Sequence, residues 1–204
     1  MKRVMVVLAF GAVVAFALPA VAGGDKCTCS TVKEAGNGWC DQCDQGAVYG
    51  VRLASAKLYQ ALTGKEIKDA DKIKCGGCKK AAKSDGSCEY DYCNAAFHDG
   101  KMYMSAVAHT LASGHRMKTS EIKCGGCKKA ADAKKPGYCS GCDAGFVSGM
   151  AFKGKKHFES ASAAMTTLKT AAKAKCTACA VAMVTDGTCK DCKISFKDGE
   201  KLKT

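Results

Sequence analysis

Apolar residues recur along this chain with helical spacing in three stretches. Around 155–173, Phe158, Ala161, Met165, Leu168 and Ala172 follow one another at gaps of three and four, which puts them on one face of a helix. Leu53, Leu58, Ala61 and Leu62 do the same ahead of Gly64, and Met104, Val107, Ala108 and Leu111 ahead of Gly114. Both glycines are placed to cap their helices. Elsewhere the apolar runs are short. Ile73 and Ile122 each lead as a brief strand into Cys-Gly-Gly-Cys, whose glycines allow a sharp turn, and further on a phenylalanine strand reaches Asp99-Gly100 or Asp198-Gly199, which read as hairpin turns. One run differs in kind. Basic Met1-Lys2-Arg3 precedes the apolar stretch 4–18 and then Ala20-Val21-Ala22, so residues 1–22 are expected to be a signal peptide removed on export. The rest is expected to be soluble, with no lasting membrane anchor.

Sixteen cysteines punctuate this pattern in four blocks: Cys27/Cys29 with Cys40/Cys43, Cys75/Cys78 with Cys88/Cys93, Cys124/Cys127 with Cys139/Cys142, and Cys176/Cys179 with Cys189/Cys192. The first cysteines of successive blocks are 48, 49 and 52 residues apart, a period that marks an internal repeat. Other positions keep the period. Gly38, Gly86, Gly137 and Gly187 stand two before the third cysteine, while Phe97, Phe146 and Phe196 stand four after the last one, with Ala47 in the first block. Gly50, Gly100, Gly149 and Gly199 follow three residues later. Asp44, Asn94 and Asp143, directly after the last cysteine, are types that tolerate the left-handed conformation of a tight turn. The expected organisation is a leader (1–22), a degenerate repeat plus helix (23–64), two repeats each with a helix (65–115 and 116–174) and a final repeat without one (175–204). Units of this size rarely build a sufficient core and use metals or disulfides instead, so a linear array with mostly nearest-neighbour contacts is expected.

Composition then narrows the partners. The formal net charge of +13 falls to +11 when Lys2 and Arg3 leave with the leader. Four cages of four thiolates and one Zn²⁺ would each carry −2, bringing the total to about +3. Lys74, Lys79, Lys80, Lys123, Lys128, Lys129, Lys175 and Lys190 beside the cysteine pairs then read as local counter-charge rather than a nucleic-acid footprint. No nucleic acid is expected, and a protein partner remains open in identity, as does the oligomeric state.

A Cys-x-x-Cys turn points two sulfurs to one side, and two facing turns make a four-sulfur cage. Double pairs separated by 9–11 residues, four times over, carry metal-ligand spacing. At these positions the chain resembles the zinc-ribbon and rubredoxin-like knuckle proteins, over the cysteine-bearing half of each repeat. The resemblance implies a small, metal-stabilised α+β fold: four zinc-ribbon-like units of short β-hairpins joined by amphipathic helices. It also implies one structural Zn²⁺ per unit, up to four. The ligands would be Cys75, Cys78, Cys88 and Cys93 in the second unit, Cys124, Cys127, Cys139 and Cys142 in the third, and Cys176, Cys179, Cys189 and Cys192 in the fourth. Cys27, Cys29, Cys40 and Cys43 form the irregular first set, since Cys27-Thr28-Cys29 is one residue short; Cys88–Cys93 is two residues long. Iron would use the same ligands.

Two alternatives use the same cysteines. Export and an even cysteine count suit disulfides, and Cys-Gly-Gly-Cys suits a thiol–disulfide oxidoreductase, although that chemistry needs a βαβ setting. His98, His109, His115 and His157 match no repeat position, and no other catalytic constellation is present. The expectation is an exported, non-enzymatic metal-binding protein that acts as a binding scaffold or a metal-sequestering protein, with disulfide scaffold and oxidoreductase as the competing readings.

Overall fold

The computed structural model describes residues 37–202 other than Asp91 and Lys134. The leader and the Cys27/Cys29 pair lie outside the described residues. Four small antiparallel sheets and six α-helices make up the molecule among the described residues.

Each sheet is built on a hairpin. Strands β1 (Gly38–Cys40), β2 (Gln45–Val48) and β3 (Val51–Leu53) form the first, followed by helix α1 (Ala56–Leu62). Strand β4 (Lys65–Glu66) then leaves this block and pairs with β6 (Lys101–Tyr103), which also pairs with β5 (Ala96–His98). Between them lies helix α2 (Gly76–Ser84), and after them α3 (Ala106–Ala112). Strand β7 (His115–Arg116) repeats the handover by pairing with β10 (Met150–Lys153) of the next sheet, which contains β8 (Gly137–Cys139) and β9 (Ala144–Val147) and is preceded by helix α4 (Gly125–Asp132). The long helix α5 (Lys155–Ala172) leads to α6 (Thr177–Val184) and the last sheet, β11 (Thr188–Cys189), β12 (Ile194–Lys197) and β13 (Glu200–Lys201).

All four hairpins turn in the same way. Tyr49-Gly50, Asp99-Gly100, Ser148-Gly149 and Asp198-Gly199 each have positive φ at both positions, from 48° to 78°, the two-residue turn whose twist matches the flanking strands. The two Asp-Gly turns foreseen are therefore real, and Tyr49 and Ser148 adopt the same conformation without a favoured residue type. Tyr49 is held there: its N–H donates to Asn37 Oδ1 at 2.7 Å and its buried hydroxyl to Ala108 O at 3.2 Å.

Three expectations are corrected. Ile73 and Ile122 are not in strands; each ends a 3-10 turn, Ala70–Lys72 or Thr119–Glu121, and the Cys-Gly-Gly-Cys that follows opens a helix rather than a sharp turn. Gly64 and Gly114 are not left-handed caps, for neither has positive φ. They are small because of neighbours, since a Cβ on Gly64 would meet the Tyr103 ring at 2.6 Å and one on Gly114 the Phe152 ring at 2.4 Å. The third concerns the array. Helices α1, α3, α5 and α6 pack on one another and share one core running from Val48 and Leu53 through Leu58, Leu111, Met165 and Leu168 to Val184 and Phe196. The first cysteine block thus touches the last. A chain of alanine-rich stripes, each too thin to make a core alone, buries itself by bringing four helices to one place.

Of the helices among the described residues, α2 and α4 stay out of that core. They pack with their own hairpins in two small clusters, Cys78, Ala81, Ala95 and Phe97, and Ile122, Cys127, Ala130, Cys139 and Phe146.

Ser105 ties α3 to α6. It is fully buried, its hydroxyl donates to Val184 O at 2.6 Å and accepts from Ala108 N at 3.1 Å, so one side chain caps one helix and satisfies the last carbonyl of another. Ser105→Ala is expected to destabilise the protein by about 2 kcal/mol, because the cap is lost and a buried carbonyl is left without a donor. Thermal or denaturant unfolding checks this, and an unchanged midpoint would contradict it.

Candidate metal centres

Three groups of four cysteines come together among the described residues. The sulfurs of Cys75, Cys78, Cys88 and Cys93 all lie within 4.8 Å of one another, as do those of Cys124, Cys127, Cys139 and Cys142, and those of Cys176, Cys179, Cys189 and Cys192. Sulfur–sulfur separations are 3.7 Å for Cys75–Cys88, 3.3 Å for Cys78–Cys93, 3.9 Å for Cys124–Cys139, and 3.8 Å from Cys176 to both Cys189 and Cys192. Thiolates on the corners of a tetrahedron at metal–sulfur distances of ~2.3 Å stand ~3.8 Å apart. A disulfide joins sulfurs two at a time at ~2.05 Å. The groups therefore have the dimensions of a four-sulfur metal cage and can hold an ion such as zinc; iron takes the same donors.

Each cage is assembled from a helix start and a hairpin turn. Cys75, Cys124 and Cys176 are the N-caps of α2, α4 and α6, and Cys78, Cys127 and Cys179 sit one turn further in, where a spacing of three returns to the same side of the helix. In the last cage the first-turn amide reaches the capping sulfur: Cys179 N–H donates to Cys176 Sγ at 3.4 Å. Such donors favour the thiolate. The Cys78 amide holds the Cys75 thiol below the ordinary range, the Cys179 amide does so for Cys176, and at Cys124 the Cys127 amide together with the Cys142 thiol brings it down to about 7. The second cysteine moves the other way. Burial, followed by neighbouring sulfurs, pushes Cys78 and Cys127 up, whereas at Cys179 the Cys189 contact leads and burial follows. Four thiols this close cannot all ionise by themselves, and a divalent cation among them removes the conflict.

The hairpins supply the other two sulfurs. Cys139 and Cys189 end strands β8 and β11, and Cys142 and Cys192 lie in the turns that follow. Asp143 and Lys193, next in sequence, have φ of 49° and 56°, which bends the chain back into β9 and β12. Asp44 does the same after Cys43, φ 48°, so Cys40 and Cys43 occupy the equivalent hairpin of the first block. Their expected partners Cys27 and Cys29 lie outside the described residues. Asn94 departs from the expectation and is not left-handed, because the longer Cys88–Cys93 connection turns earlier, with Cys93 N–H donating to Tyr90 O at 2.9 Å.

The double glycine of Cys-Gly-Gly-Cys serves the cage. A Cβ on Gly77 would stand 2.9 Å from Cys88 Sγ, and one on Gly126 2.9 Å from Cys139 Sγ. The second glycine leaves room for the third sulfur to close on the helix start, which outweighs the helix propensity it sacrifices.

The remaining sequence candidates fall elsewhere. No histidine belongs to a metal-ligand group among the described residues. His109 Nε2 is 3.2 Å from Phe97 O, His157 Nδ1 2.9 Å from Lys153 O, and His98 Nδ1 3.5 Å from the Asp85 carboxylate, while His115 lies in β7. Lys80, read as counter-charge to sulfur, places its ammonium 3.1 Å from Glu89 instead. Tyr90 matches no repeat position and lies in the one lengthened cysteine connection, Cys88–Cys93. Its ring packs over Gly76–Gly77: Cβ atoms built there would lie 3.7 Å from its hydroxyl and 3.1 Å from Cδ2.

Fold and sites together define a small, cysteine-rich α+β protein with clusters compatible with metal binding. No protein-family model, curated protein or solved structure matches the chain.

Proposed function

We propose that the protein is an exported, non-enzymatic zinc protein built from four repeated cysteine units, which serves as a binding scaffold or holds metal in sequestered form. The observation that carries this is the sulfur geometry: three four-cysteine groups with separations of 3.3–3.9 Å, near the ~3.8 Å edge of a tetrahedral cage. A fourth centre would form where Cys27 and Cys29 join Cys40 and Cys43. Zinc in such a cage supplies a cross-link between a helix start and a hairpin, and closed four-sulfur sites leave no open position for catalysis. Export rests on the pattern of residues 1–22 and a protein partner on the repeat layout.

Metal analysis with a thiol count on the native protein tests this. The expected result is close to four zinc ions per chain, sixteen titratable thiols after denaturation, and no reduction of a model disulfide substrate. A disulfide scaffold would instead show few thiols and no metal, and an oxidoreductase would turn over a disulfide and lose that activity on replacement of Cys75 alone.

A further inference from the structure

The three cages are built alike and covered differently. In the cage of Cys75, Cys78, Cys88 and Cys93 no cysteine is exposed. Tyr90 lies across Gly76–Gly77, with Glu89 beside it, its Cγ 3.2 Å from the position of a Gly77 Cβ. Tyr92 stacks on the outer face of Tyr90, ring centroids 5.4 Å apart and planes within 10°. Tyr92 is itself 84% exposed, so its ring is spent on Tyr90 rather than on the core. Lys80 closes the edge through its ion pair with Glu89 at 3.1 Å.

Among the described residues nothing comparable covers the cage of Cys124, Cys127, Cys139 and Cys142. Cys142 is exposed, and Cβ atoms built on Gly125 and Gly141 would meet nothing within 4 Å. Gly125 is the counterpart of Gly76, over which Tyr90 lies. The last cage also has an exposed cysteine, Cys192.

A metal leaves a four-sulfur cage by ligand substitution. An incoming donor bonds to the ion as one sulfur–metal bond breaks, the freed thiolate takes a proton from water, and no electrons change hands. The donor must reach the sulfurs, so protein atoms that cover them slow the exchange.

From this we infer that the protein holds its metal in two grades: a retained ion in the cage of Cys75, Cys78, Cys88 and Cys93, covered by Tyr90, and an exchangeable ion in the open cage of Cys124, Cys127, Cys139 and Cys142, available to thiolate- or imidazole-bearing acceptors through Cys142. This rests on the metal reading above and deepens it. The two added residues of the Cys88–Cys93 connection bring the covering aromatic.

The test uses the full chain loaded with ¹¹³Cd²⁺, whose correlations to cysteine β-protons assign each cadmium line to its four ligands. Challenge with excess EDTA is expected to remove the Cys124 line well before the Cys75 line. Tyr90→Ala should accelerate loss of the Cys75 line about tenfold, the rate equivalent of one aromatic contact, and leave the Cys124 line unchanged. Tyr90→Phe, which keeps the ring, should behave as the unaltered protein. Loss of all lines at one rate, or a Cys75 line indifferent to Tyr90→Ala, would overturn the two-grade inference while leaving the metal reading intact. A chain that takes up no cadmium would overturn both.

Discussion

Removal of metal by a chelator is expected to melt α2 and α4 with their hairpins and to leave α5 largely folded. The two groups of elements are held by different forces. The clusters around α2 and α4 have few buried apolar side chains beyond alanine, Phe97 in one and Ile122 and Phe146 in the other, and cysteines complete them. Without a cation, their packed thiols contribute little and repel when ionised. A structural zinc site of this kind is worth about 10–16 kcal/mol in apparent binding, more than either cluster's burial can replace. Helices α1, α3, α5 and α6 meet in a larger core of leucine, methionine, valine, alanine and aromatic residues, in which Cys189 is the one fully buried cysteine. Helix α6 belongs to both regimes. Its start carries Cys176 and Cys179, yet Ala180, Ala182, Met183 and Val184 are buried in the shared core. Circular dichroism should accordingly show partial loss of helix on EDTA treatment, and amide exchange should lose protection in α2 and α4 while α5 keeps it. Complete unfolding would mean that the shared core does not stand alone, and no change would mean that the cages hold no structural ion.

Leu168→Ala is expected to cost about 3 to 5 kcal/mol and to lower the stability of the molecule as one unit. Leu168 is fully buried in the C-terminal half of α5, the helix that packs against α3, α6 and β9. Truncation there opens a cavity at the meeting point of elements from across the chain, where little can relax into it. In a linear array the same change would loosen only neighbouring units and leave α1 and its hairpin untouched. Guanidinium unfolding followed at Trp39, whose ring lies tilted at 40° against Tyr59 of α1 with centroids 5.6 Å apart, distinguishes the two cases. The shared core predicts that the Trp39 transition shifts together with the helical signal.

The comparison of sequence with structure divides by distance along the chain. The cysteine sets Cys75–Cys93, Cys124–Cys142 and Cys176–Cys192 were legible because each cage closes within about twenty residues and short spacing constrains short geometry. The hairpins at Asp99-Gly100 and Asp198-Gly199 and helices α1, α3 and α5 were legible for the same reason, through turn chemistry and periodicity, except that Leu53 ends strand β3 and Met104 lies exposed ahead of α3. The helix starting at Cys-Gly-Gly-Cys was not. Two glycines oppose a helix by propensity, and only the third sulfur, 2.9 Å from where a Cβ would stand, shows why they are there.

What the residues determine by themselves is local: which four thiols belong together, where the chain reverses, and which face of each helix is apolar. Packing decided the rest. An apolar stripe says that a partner is needed without saying which one, and it took the tertiary structure to bring α1 against α6, to place Ser105 under the end of α6, and to lay Tyr90 over one cage while leaving Cys142 of another exposed. Shape complementarity between side chains that meet only once the chain has folded makes those choices, and no spacing rule encodes it.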